Sequence, residues 1–259
     1  MLSNSSPGKG GRRDIPQQAK NRYTMNMSIA QNLAAIHDAI RAAESDAARV
    51  AHSVRLVAVS KFHTADTVAE AIAAGQTLFG ENRVQEAAAK FAELAARSLP
   101  FELHIIGTLQ RNKVRDAVKI ASCIQSVDRI EVLQEVEKQC AKIGKTIAVL
   151  FELRTGETTK AGFSDYAALE KAVALCVQGH FPHVTPRGLM TMAPNTDDQE
   201  KIRAAFRTVR ETRDKLAGAY PTLPLAELSM GMSGDYRIAI SEGATMVRIG
   251  TAIFGARDA

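Results

Sequence analysis

VRLVAVSKFHTADTVAEAIAAGQTLFGEN, residues 54–82, sets the pattern that the rest of the chain repeats. An apolar run at 54–60 breaks off at Lys61, Thr64 then opens a helical segment that Gly75 closes, and a second apolar run follows at 77–80. Strand, helix, strand is the order. Further strand-like runs stand at 101–106, 122–127, 146–153, 187–192, 225–230 and 245–249. Helical segments lie between them: 83–97, 111–119, one from Asp128 to Gly144, one from Ser164 to Gly179, 197–217 and 235–242.

Continuous apolar strands alternating with amphipathic helices predict a parallel sheet covered on its outside. Eight such units in one chain predict an α/β fold, a single (β/α)8 barrel of the triosephosphate-isomerase type. An open doubly wound sheet would carry a Gly-rich dinucleotide turn after the first strand, and the first strand runs into KFHT instead. Upstream, Ser28 is positioned to cap a helix with Leu33, Ile36, Ile40, Ala43 and Ala47 at helical spacing, so an extra helix precedes the barrel. Residues 1–27 carry Gly, Ser, Asn and basic residues without apolar periodicity. They are expected to form a disordered basic tail, with residues 28–259 forming the barrel domain.

The 259 residues are 46% hydrophobic and 24% charged, the balance of a globular protein. The formal net charge is +5, but Lys9, Arg12, Arg13, Lys20 and Arg22 against Asp14 place most of it before residue 25. With no Trp and 5% aromatics, the body lacks the basic face and stacking groups of a nucleic-acid binder. Cys123, Cys140 and Cys176 are isolated, which predicts reduced thiols in the cytoplasm and no structural zinc site. No apolar run is long enough to span a bilayer, so no membrane partner is expected.

In a barrel of this type the chemistry sits at the C-terminal ends of the strands. Lys61 ends the first strand, where it reads either as a partly solvated side chain or as a desolvated amine able to trap an aldehyde. SMGMSGD (229–235) follows the seventh strand and RIGT (248–251) the eighth, each running into a helix. Loops at these two places form the usual phosphate site of the fold, with Gly250 permitting close backbone approach and Ser233 and Thr251 offering hydroxyls. A phosphate cradle with an aldehyde-trapping lysine points to pyridoxal 5'-phosphate.

The runs AVSKFHTADTVAEAIAAGQTLFGENRVQE, HIIGTLQRNK, GLMTMAP and LSMGMSGDYRIAISEGATMVRIGTAIFGAR resemble the pyridoxal phosphate homeostasis protein family, and through it the barrel domain of alanine racemase. The resemblance spans residues 28–257. It implies the type III pyridoxal phosphate fold, with Lys61 as the Schiff-base lysine, Arg248 facing the pyridine nitrogen, and Gly250, Thr251 and Ser233 on the phosphate. Ser229 is a further phosphate candidate, and Asn82 is expected to line the pocket near the ring. It also implies a cytoplasmic monomer that holds pyridoxal phosphate for vitamin B6 homeostasis or delivers it to apo-enzymes, rather than a catalyst. One segment departs from the family pattern: ELRTGETTKAGF carries Arg154 where many members have an asparagine before a Ser-rich loop.

The alternative is an amino-acid racemase of the alanine racemase type, which needs an acid or base on each face of the substrate carbon. Tyr236 is the tyrosine nearest a rim loop. Glu81 beside Asn82 reads either as a base or as a charge at a helix N-terminus. His104 falls inside a strand and is expected to be a hydrogen-bonded interior residue. His180 and His183 flank Pro182 without a third ligand for a metal. Met190, Met192, Met230, Met232 and Met246 are expected to fill the core.

Overall fold

The computed structural model describes residues 28–157 and 159–255, so the 1–27 segment lies outside the described residues. Eight strands pair in parallel and close a barrel in sequence order. They are β1 (Arg55–Val59), β2 (Leu78–Glu81), β3 (Glu102–Ile105), β4 (Cys123–Val127), β5 (Ile147–Glu152), β6 (Val184–Met190), β7 (Glu227–Ser229) and β8 (Met246–Ile249). The seam is β1 against β8, with Arg55, Leu56, Val57 and Ala58 opposite Met246, Val247, Arg248 and Ile249.

The outer layer is α2 (Ala65–Ala73), α3 (Val84–Ala96), α4 (Val114–Ile120), α5 (Ile130–Ile143), α6 (Tyr166–Val177), α7 (Gln199–Ala219), α8 (Tyr236–Ser241) and α9 (Thr251–Phe254). The preceding helix, α1 (Ile29–Asp46), is opened by a capping box in which Ser28 and Gln31 bond each other's backbone amide. Its Asn32 donates to the Ile253 carbonyl, which ties α1 to the last helix.

Strand periodicity separates two apolar sets. Leu56, Ala58, Phe79, Ile105, Ile124 and Val149 join the helices in one continuous core. Val57, Leu78, Cys123, Leu150, Met190 and Met246 form a separate cluster that fills the barrel's interior. Counting by twos from that interior set reaches Lys61, Asn82, Gln125, Glu152, Met192 and Arg248. The mouth is therefore built by the same inward parity as the core below it.

Three local expectations are corrected. The sixth strand begins at Val184, not 187: Val184, Thr185 and Pro186 pair with Ile147, Ala148 and Val149, and a bulge then resets the register to Gly188 opposite Leu150. Gly188 is required there, because a Cβ would lie 1.8 Å from the Glu227 carbonyl oxygen. Asp128 does not cap α5, whose N-cap residue is Arg129; it pairs with that arginine at the strand exit instead. Asp165, not Ser164, caps α6, accepting the Ala168 amide. No described helix is long and apolar enough to cross a membrane.

Candidate functional site

The loops at the strand ends enclose a cavity of ≈ 400 Å³, a size suited to a small cofactor. Six of the seven residues singled out in the sequence line it: Lys61, Asn82, Ser233, Arg248, Gly250 and Thr251. Ser229 does not. It is fully buried beneath Arg248, where its hydroxyl donates to Gln125 Oε1 at 2.6 Å and accepts from Arg248 at 2.8 Å.

Lys61 is half-buried and follows a rigidly held residue. Ser60 donates its hydroxyl to Glu81 at 2.7 Å, and Lys90 donates both to the Ser60 carbonyl at 2.7 Å and to Glu81 at 2.8 Å. Glu81 is thus neither a cavity base nor a helix-terminal charge. It is a fully buried partner that joins β1, β2 and α3. Just after Lys61, Phe62 adopts a φ of 70°, a left-handed conformation costly for an aromatic residue, with Arg83 over its ring at 5.4 Å.

Arg248 forms the floor of the cavity and is 4% exposed. It donates to the Ser229 carbonyl at 2.7 Å, to the Ser229 hydroxyl, and to the Thr191 carbonyl at 2.7 Å. Burial pulls its pKa down to about 10, against the attraction of Glu152 and Asp235, so it remains a cation at neutral pH. The chain of bonds continues below it: Gln125 donates to His104 Nδ1 at 2.7 Å, which leaves His104 Nε2–H to donate to Glu102 at 2.8 Å. His104 is accordingly a hydrogen-bonded interior histidine. The donors run in one direction, from the guanidinium at the mouth to a carboxylate at the far end of β3.

Gly250 has an ordinary φ of -121°, so its need is for space: a Cβ would lie 2.9 Å from the Val59 carbonyl oxygen across the seam. That close approach sets Thr251 beside the Lys61 strand. The loop after β7 turns at Gly231, φ 96°, where a Cβ would meet Ala239 at 2.6 Å. Asp235 then accepts the Met232 amide and holds Ser233 at the rim. Tyr236 follows on α8 and does not line the cavity.

Sequence reasoning missed Glu152. It ends β5, is 2% exposed, lines the cavity, and leaves Oε2 without a hydrogen-bond partner among the described residues. Burial, reinforced by Asp128 and opposed by Arg248, pushes its pKa up to about 7. The strand-end rule that singled out Lys61 would have found it too, since a carboxylate ending an apolar strand is equally costly. Asn82 Oδ1 is likewise buried without a partner. His63 and Thr108 also line the cavity, while Arg154 does not. No group of three or more described His, Cys, Asp or Glu residues could hold a metal ion.

A closed parallel barrel with a lysine at the end of β1 and small hydroxyl residues after β7 and β8 defines a class, the single-barrel relatives of alanine racemase. The family described as alanine racemase, N-terminal domain, matches residues 31–258. Within it the chain belongs to the pyridoxal phosphate homeostasis protein family. It is 38% identical over 233 residues to the protein of that name from Pasteurella multocida, covering 90% of this chain and 99% of the relative. The Pseudomonas aeruginosa protein of the same name is 42% identical over 234 residues, covering 89% and 96%. The structure of PipY from Synechococcus elongatus with PLP bound is 37% identical, with a TM-score of 0.77, covering 88% of this chain and all of that one. Alanine racemase of Clostridium difficile, at 16% identity and a TM-score of 0.63, shares the fold over 57% of its own length.

Proposed function

We propose that the cavity holds pyridoxal 5'-phosphate and that the barrel beginning at residue 28 keeps this cofactor available, or passes it to apo-enzymes, without turning over a substrate. One observation carries the proposal: Lys61, Arg248, Ser233, Gly250 and Thr251 converge on one cavity of ≈ 400 Å³. The residues fit such a group. The space that a Cβ at Gly250 would fill lies at the seam, hydroxyl donors stand on two adjoining loops, and Asn82 and Glu152 leave buried polar atoms unpartnered at the cavity wall.

When bound, the cofactor supplies an aldehyde that a primary amine captures as an imine, and a phosphate that anchors it. Lys61 would provide the amine, held in place by the Ser60, Glu81 and Lys90 contacts behind it. Ser233, Thr251 and the first amides of α9, which have no intrahelical carbonyl to bond, would receive the phosphate. Arg248, a permanent cation fixed by three hydrogen bonds, disfavours a second positive charge on the ring nitrogen and so weakens the ring as an electron sink. Homeostasis is the role named for the relatives, and this arrangement suits holding better than carbanion chemistry. The racemase alternative is less well supported, because no tyrosine among the described residues, Tyr236 included, lines the cavity.

Borohydride reduction of the cofactor-loaded protein, followed by peptide mass spectrometry, is expected to find the reduced cofactor on Lys61. Attachment to Lys113 or Lys160 instead would overturn the assignment. Exchange of amino-acid α-protons with deuterated water at an enzymatic rate, on the order of ten per second, would overturn the carrier role.

A further inference from the structure

Glu152 is the buried group that the proposed function leaves unexplained. A carboxyl at 2% exposure with an unbonded oxygen carries a penalty that the attraction of Arg248 offsets only in part. Its surroundings hold both signs of charge. Asp128 and Arg129 follow β4, Arg248 comes from β8, Asp235 from the loop after β7, Lys61 and His63 from the loop after β1, and Lys160 from the loop after β5. Only Asp128 and Arg248 act on it appreciably, with opposite effect, so burial decides its state.

Position supplies the rest. In a closed barrel of eight strands in sequence order, β5 stands across from β1. A pyridine aldehyde whose aldehyde carbon meets Lys61 on the β1 side turns the opposite edge of its ring toward β5, since the ring nitrogen is para to the aldehyde. Apart from Lys61 and His63 after β1, the charged or ionisable side chains that line the cavity are Glu152, which ends β5, and Arg248 from β8. Arg248 already spends donors on Ser229 and Thr191. A neutral carboxyl there has a proton to donate, whereas an ionised one faces the ring edge as an unpaired anion.

We propose that Glu152 is a proton-bearing contact to the ring edge remote from Lys61, and that this chain's hold on a phosphorylated pyridine ligand loosens as the carboxyl loses its proton. The proposal rests on the cofactor reading above. Because burial keeps the carboxyl protonated up to about pH 7, the transition falls within the physiological range.

Pyridoxine 5'-phosphate is the suitable probe, since it has the ring and phosphate but no aldehyde, which removes the Lys61 proton from the linkage. Its dissociation constant is measured by calorimetry with the full chain from about pH 6.5 to about pH 8.5, for the parent, Glu152→Gln and Glu152→Leu. The parent is expected to lose roughly ten- to thirtyfold in affinity across that range relative to Glu152→Gln, as one linked proton requires. Glu152→Gln keeps a donor without a charge and should bind at every pH as the parent does at the lowest. Glu152→Leu should bind more weakly than either at the acid end. Parallel curves for the parent and Glu152→Gln would overturn the proposal while leaving the cofactor reading intact, and so would Glu152→Leu binding as tightly as Glu152→Gln at the acid end. Failure of all three to bind at any pH would overturn both.

Discussion

Glu242, in the helical shell, is 4% exposed, and Glu152, at the barrel mouth, is 2% exposed. Their surroundings could hardly differ more. Arg203, Arg207 and Arg210 from α7 all converge on Glu242, at 3.3, 3.2 and 2.9 Å. Burial there opposes ionisation, but the hydrogen bonds from Arg207 and Arg203 outweigh it and hold the carboxyl below its ordinary range. At the mouth, burial meets no such compensation and the pKa rises to about 7. Glu242, which braces two helices, has both oxygens partnered, whereas Glu152 leaves one open at the cavity wall; Glu81 also leaves Oε2 open, but its Oε1 is held by Ser60 and Lys90. The contrast is between a carboxylate held by three arginines and one that borders the cavity.

The two sites should respond to pH with opposite sign, and that is the sharpest way to test the contrast. The folded-state pKa of Glu152 is raised, so its contribution to stability is complete below about 4.5 and is lost as pH rises toward about 7. Glu152→Gln should therefore gain roughly 3 kcal/mol over the parent in urea unfolding at about pH 8, and nothing at about pH 4. If the gain is the same at both values, the carboxyl is not held protonated.

Glu242 has a lowered pKa, so its stabilisation is present above the ordinary carboxylate range and fades as pH falls through the folded value. Glu242→Gln should cost roughly 2 kcal/mol at neutral pH, less than a fully buried pair because the arginine side chains are 31–51% exposed. The cost should shrink in acid.

Where the proposed phosphate site lies, Thr251→Val would remove one donor to the anion. The expected loss is about 2 kcal/mol, or roughly thirtyfold in cofactor affinity by equilibrium titration, with the melting temperature unchanged. Ser229→Ala should have the smallest effect, about 1 kcal/mol in stability, because Arg248 keeps the Ser229 and Thr191 carbonyls. A Ser229→Ala effect on affinity exceeding that of Thr251→Val would mean that the serine, not the threonine, touches the ligand.

Residues that obey strand parity and end caps were legible in the sequence. Lys61 was legible as the residue that ends the first strand, Asn82 and Arg248 through the family resemblance, and all three fall on inward positions of their strands; Thr64, Gly75 and Gly144 mark the helix ends they were read to mark. The start of β6 was hidden, because Pro186 has no amide to donate and so reads as a break, whereas the strand accommodates it at a bulge. Glu81 misled because its partner Lys90 lies a helix away, a contact that no local pattern announces. Glu152 escaped because the loop after it departs from the family pattern and drew attention to Arg154 instead. Gln125 and His104 form a relay whose members come from separate strands, and its direction emerges only from their hydrogen bonds.

The seam between β1 and β8 also sets when the site can exist. Lys61 follows β1 and the Arg248–Thr251 segment runs on from β8, far away in the sequence, and the two become neighbours only when β8 docks on β1. Until then a nascent chain carries an amine with no anion cradle beside it. On the cofactor reading proposed above, capture requires β1 and β8 to have paired, and a chain misregistered at that seam is left without a grip on a reactive aldehyde.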